Sequence, residues 1–361
     1  MRIQLFLAFA LGCMACPAAN SNDSTLPGVT VPPTVVADAG DTAPAAADAG
    51  DDSARPCYRN CYGGWVCNIT TRRCEPPPFD GGREAPLPAS GPGAVSASGG
   101  TVDRLRFGVY GDVRPDDLNE DNRYPRDIIS DIMTAFQQES AQFVVATGDY
   151  IFSNNAASAS AQIASLKAAE ANYAGFVGHA LGNHECKGWS ASNCPNGDES
   201  AQMVEFMRGL VPHTPTPYFD FTVETNLGPA KFVFVAANAW SEAQREWLTR
   251  TIARETTYTF VLRHHPSAFA NDVTGVLESD RILDGKNVTL KMYGHVHEYR
   301  RLGDNEVICG NGGGPLRGFN FYGYLIVDQL VDGSIQVTSF KRGTNEIVDQ
   351  WRVTADGRRA P

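Results

Sequence analysis

"AQFVVATGDY", residues 141–150, is a run of apolar and β-branched residues closed by Gly148 and Asp149. The run has the length and composition of a buried strand, and the glycine lets the backbone turn tightly enough for the carboxylate to project from the sheet edge. A lone Gly-Asp pair is an ordinary turn; here the arrangement recurs. Upstream, "RLRFGVYGDVR" (104–114) is a second apolar strand, ending at Asp112. Between the two, "DIISDIMTAF" repeats apolar residues at helical spacing through Ile128, Ile129, Ile132, Met133 and Phe136. Downstream, an Ala-rich helical stretch with Ile163, Leu166 and Tyr173 leads into "GFVGHALGNHE", whose apolar run delivers Asn183 and His184. Strands alternating with amphipathic helices define an α/β domain, and in such sheets sites gather at the carboxyl ends of the strands.

The pattern continues with imidazoles. "TYTFVLRHHPSAF" is a strand that reaches His264 and His265, and "NVTLKMYGHVHEYRR" is one that reaches His295 and His297. Side chains two apart on an extended chain share a face and start about 6.6 Å apart. That suits a pair of metal ions about 3.5–4 Å from each other. Carboxylate and amide oxygens mixed with imidazoles fit Mn, Fe or Zn, whereas a thiolate set would indicate structural zinc.

The chain has 361 residues, of which 42% are hydrophobic and 20% charged, enough for a full-sized core. Its formal charge of -11 is uneven, because Asp23, Asp38, Asp41, Asp48, Asp51 and Asp52 lie in a stretch without Lys or Arg. No block of basic residues argues for nucleic-acid binding. Residues 1–16, "MRIQLFLAFALGCMAC", read as an export signal, too short for a typical membrane span. A cysteine near the cleavage point, Cys13 or Cys16, leaves two outcomes open: attachment to the cell envelope through an N-terminal lipid, or plain secretion. Residues 17–55 are an Ala/Pro/Asp linker that cannot bury enough apolar surface to order itself. Residues 56–75 pack Cys57, Cys61, Cys67 and Cys74 into a module too small for its own core, which predicts two disulfides in an exported protein, with a zinc knuckle as the rival. Residues 76–101 read as a second linker, and 102–356 as the catalytic domain. Cys186 and Cys194 bracket "KGWSASN" directly after the third strand's ligands, so the exported setting predicts a disulfide there too.

The order "GD…GD…GNHE…HHP…GHVH" resembles the calcineurin-like metallophosphoesterases, and "GHVHEYRR" looks most like their purple acid phosphatase branch. The resemblance spans about residues 104 to 350 and includes "SEAQREWLTRTI", where Gln244, Trp247 and Leu248 match a helix pattern of the family. It implies a four-layer α/β/β/α sandwich and hydrolysis of phosphate esters by metal-activated water at a centre of two divalent or trivalent ions. By the same resemblance Asp149 bridges the metals, the first ion takes Asp112 and His297, and the second takes Asn183, His264 and His295. The family's His-x-Pro pattern selects His264, with His265 as the alternative. His184 resembles the residue that contacts phosphate or protonates the leaving alkoxide, and Glu185 would orient its imidazole.

Two positions depart from the family. Where most members have Asp-x-His, this chain has Asp112-Val113-Arg114, and arginine offers no lone pair to a metal. Purple acid phosphatases supply a tyrosine three residues after the second aspartate, where this chain has Phe152, with Tyr150 nearby. Arg114 could grip a substrate phosphate with its planar fork or form a surface salt bridge. The expected substrate is a small-molecule phosphate ester, monoester or diester. The competing assignments are a phosphodiesterase or nucleotidase of the same fold, and a non-catalytic surface protein that binds metal or phosphate through a degenerate first site.

Overall fold

The structure is a computed structural model that describes residues 66–68, 73–75, 91–186, 194, 200–270, 273–318, 320–344 and 346–360. The export signal, the acidic linker, Cys57 and Cys61 lie outside these residues. Of the cysteine module, a short antiparallel hairpin sets Val66–Asn68 against Arg73–Glu75 with Cys67 opposite Cys74; the disulfides predicted there also fall outside what is described. Among the described residues no helix is long and apolar enough to cross a membrane.

Two mixed sheets form the domain. The six-stranded one runs Ile347–Val353, Ile335–Lys341, Gly323–Gln329, Arg106–Tyr110, Phe143–Ala146, Phe176–His179 in spatial order. The eight-stranded one runs Tyr299–Arg301, Glu306–Cys309, Leu290–Tyr293, Tyr258–Arg263, Ala230–Val235, Phe219–Glu224, Gly99–Thr101, Val95–Ser96.

Alternation along the strands sorts side chains into layers. Phe107 and Phe143 meet Phe232 across the sheet interface, with ring centroids 5.0 and 4.9 Å apart, and Phe107 also meets Phe260 at 5.2 Å. The intervening residues face helices. Phe136, on the helix Arg126–Gln138, packs against Tyr110 and Tyr324 on the far side of the six-stranded sheet. A Cβ on Gly108 would come within 2.5 Å of the Phe136 ring, so glycine there lets helix and sheet approach. On the other flank, Val233, Val235 and Val261 cluster with Leu248 of the helix Glu242–Ala253 and with Val276 and Leu283 of the helix Thr274–Leu283. Helix, sheet, sheet, helix is the predicted four-layer order.

The eight-stranded sheet begins earlier than composition indicates. Val95–Ser96 and Gly99–Thr101 form a hairpin on its edge, at the end of the stretch assigned to linker. The glycines that read as flexible are there for close approach, since a Cβ on Gly99 would sit 2.0 Å from the Thr222 carbonyl oxygen.

The strands that carry the candidate ligands are parallel within each sheet: Arg106–Tyr110, Phe143–Ala146 and Phe176–His179 in one, Tyr258–Arg263 and Leu290–Tyr293 in the other. Their carboxyl ends converge where the two sheets meet.

Candidate metal centre

Among the described residues six non-glycine positions have positive φ, and four of them are candidate ligands: Asp112 (54°), Asp149 (59°), His295 (72°) and His297 (46°). Left-handed backbone is unfavourable for residues with a Cβ and clusters at functional sites. Here the sharp reversal after each strand turns the side chain back over the sheet ends. Neighbouring glycines make room for it. A Cβ on Gly182 would meet Asp149 Oδ1 at 2.3 Å, and one on Gly294 would meet Asp112 Oδ2 at the same distance.

The ligating atoms fall into two groups, each with members within 4.8 Å of one another: Asp112, Asp149 and His297, and His264, His265 and His295. Asn183 joins the second, its Oδ1 lying 3.1 Å from His264 Nε2 and 3.2 Å from His295 Nδ1. Asp149 links the groups, with Oδ1 3.2 Å from His264 Nε2. Asp112 is anchored by the His295 N–H, 2.9 Å from each of its oxygens, and lies 3.5 Å from His297 Nε2.

The rings are held from behind. His264 Nδ1 lies 2.8 Å from the Thr147 carbonyl oxygen and His297 Nδ1 2.7 Å from that of Pro315, which leaves each Nε2 facing the site. Buried, fully encircled Arg263 fixes the end of the histidine strand, pairing with Asp280 at 2.7 Å and donating to the His265 carbonyl at 2.9 Å.

The electrostatics fit cations. Burial, then the Asp149 charge, hold the Asp112 carboxyl well above its ordinary range, although His264 pulls the other way. At Asp149 burial also opposes ionisation, but His264 and His184 outweigh it and the carboxyl lies well below its usual range. Burial depresses His295 and His297 to about 4 each and His184 to about 3, so these imidazoles are neutral. Burial works against the charge on His264, but Asp149 outweighs it and lifts that imidazole to about 9, so a bound cation would take the place of its proton. Two enclosed carboxylates ringed by imidazole nitrogens and an amide oxygen are a donor set for divalent metal.

All six predicted metal-ligating residues therefore meet, and His184 adjoins them, its Nε2 3.8 Å from Asp149 Oδ2. Glu185 does something different from the predicted orienting of His184. It is fully buried, and its two oxygens accept the backbone N–H groups of Asp149 (3.1 Å), Tyr150 (2.7 Å), Ile151 (3.2 Å) and Gly182 (2.8 Å). The carboxylate thus shapes the turn that presents Asp149. Adjacency in sequence pointed to His184, but the four N–H groups converge on Glu185 only in the fold.

The two departures from the family meet each other. The Arg114 guanidinium lies 4.7 Å from the centroid of Phe152, whose ring stands edge-on to His184 at 4.9 Å. Tyr150 does not replace the missing tyrosine. Its hydroxyl accepts the Gly148 N–H at 3.1 Å, and its ring packs against His179 and Phe206, away from the ligands. The predicted Cys186–Cys194 disulfide is formed, with Cα atoms 5.1 Å apart. Sequence reasoning gave no role to Asn238, whose Oδ1 lies 3.1 Å from His265 Nδ1.

The sequence profile of the calcineurin-like phosphoesterases matches residues 105–299, more than half of the chain and all five ligand-bearing strand ends. The chain belongs to the calcineurin-like phosphoesterase family. Among solved structures, it is similar to the purple acid phosphatase PPD1 from yellow lupin (Lupinus luteus), at 15% identity and a TM-score of 0.52, over 70% of this chain. The match spans 54%, about half, of the lupin chain. A dimetal phosphatase from Danio rerio is also similar, at 15% identity and a TM-score of 0.49, over 70% of this chain and 99% of the other. No curated protein matches the sequence.

Proposed function

We propose that the chain hydrolyses small-molecule phosphate esters with two metal ions, one at Asp112, Asp149 and His297 and the other at Asp149, Asn183, His264 and His295. The observation that carries this reading is the pair of ligand groups joined through one carboxylate. When bound, such ions supply neutralisation of the phosphoryl charge and acidification of water at neutral pH.

The protein's own groups do the rest. Glu185 and the Gly182 turn keep Asp149 in its left-handed conformation, between the two groups of ligands. His184, neutral and buried, is positioned by its own N–H, which donates to Asp149 Oδ1 at 3.0 Å, and its imidazole contacts phosphate or the departing alkoxide. Arg114, spread over Phe152, offers N–H donors to a phosphoryl oxygen. Residues 1–16 direct export in this reading, and the Cys186–Cys194 bridge suits an oxidising compartment. The mature chain is then tethered by lipid or released.

Hydrolysis of an aryl phosphate by the full chain loaded with Mn²⁺, lost in Asp149→Ala, is the expected result. Phosphate and metal binding without turnover would instead identify a binding protein. Running an aryl phosphate diester alongside separates monoesterase from diesterase.

A further inference from the structure

We infer that His265 is a third imidazole ligand at the Asn183, His264 and His295 position, which makes that position nitrogen-rich and selective for zinc-class ions. The inference rests on the proposed metal reading and goes beyond its ligand set.

Geometry carries it. His265 offers a nitrogen within 4.8 Å of those of both His264 and His295. Its ring lies 3.8 Å from that of His295, centroid to centroid, tilted by 31°. It is 4% exposed, so it is not a surface histidine that happens to point inward. Its Nδ1 is engaged by Asn238 Oδ1 at 3.1 Å, as His264 Nδ1 is by the Thr147 carbonyl, and in both rings Nε2 is the nitrogen left for a ligand. Metal-ligating histidines characteristically have the second ring nitrogen fixed by an oxygen in this way.

The support behind His265 is built as firmly as that behind the other ligands. Its carbonyl is held by Arg263, and Asn238 belongs to the turn Ala237–Ala239. That turn is pinned by Gln244, which accepts from the Ala236 N–H at 2.9 Å and donates to the Ala236 and Ala239 carbonyls at 3.1 and 3.2 Å. The Asn238 carbonyl also accepts the Cys194 N–H, so the disulfide is tied to the same turn.

The chemical consequence is a division between two unlike positions. Three imidazole ligands favour borderline ions such as zinc and cobalt(II), whereas two carboxylates and one imidazole tolerate manganese. Zinc and Co²⁺ titrated separately into the metal-free full chain, followed by calorimetry, elemental analysis and visible spectroscopy, test the idea. His265→Ala should weaken the tighter zinc site by about 100-fold or more and alter the Co²⁺ ligand-field bands, and Asn238→Ala should weaken it by about 10–100-fold. Unchanged zinc affinity and Co²⁺ spectra in a folded His265→Ala protein would reduce His265 to a packing residue. X-ray absorption of the wild-type chain carrying one equivalent of zinc gives an answer that needs no variant: three imidazoles support the inference, two overturn it. Wild-type protein that binds neither ion would overturn the metal reading itself.

Discussion

The two groups of candidate ligands are built from the same kind of strand end, yet they differ in charge. One gathers His264, His265, His295 and the Asn183 amide, imidazole and amide donors around a single edge of Asp149. The other has Asp112, Asp149 and His297, with a guanidinium close enough to lower the His297 imidazole, though less than burial does. In the proposed reading, strand-end geometry decides where an ion would sit, while the residue next along the loop decides how strongly it would be held. Arg114, where the family pattern has a histidine, offers no donor and adds a positive charge, so each difference is expected to weaken the same position.

The largest effect should come from the residue that serves both positions. Glu185→Ala leaves four buried N–H groups without their acceptor, at a cost of about 1–3 kcal/mol for each that stays unpaired. Against a usual stability of about 5–15 kcal/mol, that endangers the fold. We expect a large drop in melting temperature in metal-free protein and loss of both ions, with Glu185→Gln milder because it keeps one carbonyl oxygen. A variant that melts like wild type while losing only turnover would restore Glu185 to the role of orienting His184.

A smaller effect should separate the positions. Stepwise dialysis against a mild chelator should empty the Asp112, Asp149 and His297 position first, with turnover falling before the second ion leaves. His297→Ala should retain one ion with little hydrolysis, whereas His295→Ala should damage the tighter position. Elemental analysis at each step makes the check, and simultaneous loss of two equally held ions would erase the asymmetry. An iron-loaded sample should also lack a tyrosinate charge-transfer band, because Tyr150 is turned into the core and Phe152 has no hydroxyl.

What was legible in the sequence follows from which properties are local. Asp112, Asp149, Asn183, His264, His295 and His297 each stand just after an apolar run, so strand periodicity alone marks where they emerge. The layer order is equally local in origin, since consecutive residues such as Phe232 and Val233 must face opposite sides. The remainder depends on contacts between distant segments. Glu185 serves a turn 34 to 36 residues away, Arg114 finds Phe152 on another loop, and Asn238 reaches His265 from the neighbouring strand's end. Gly99 was misleading for a different reason, as the same residue type serves both a loose linker and a tight hairpin.

The smallest expected effect concerns the Arg114 and Phe152 stack. Arg114 donates to the Pro115 carbonyl at 3.0 Å, while its Nε is buried without a hydrogen-bond partner, and among the described residues no carboxylate lies within ion-pair distance. Its charge nonetheless pulls downward on both carboxyls, against burial and less strongly than His264, though Asp112 stays above its ordinary range. Two roles follow, gripping phosphate or supporting the ligand carboxylates, and they predict different readouts. A charge-assisted hydrogen bond to phosphate contributes about 1.5–3 kcal/mol, so Arg114→Ala should raise KM by about 10–100-fold at unchanged metal content. Phe152→Ala removes only the platform, a cation–π contact of about 0.5–2 kcal/mol, and should raise KM by about 2–30-fold in the same direction. Arg114→Lys keeps the charge without the fork, so recovery of KM there would show that charge alone suffices. If metal content falls instead while KM holds, the guanidinium stabilises Asp112 and Asp149 as anions, and the weakness of the first position must come from its missing donor alone.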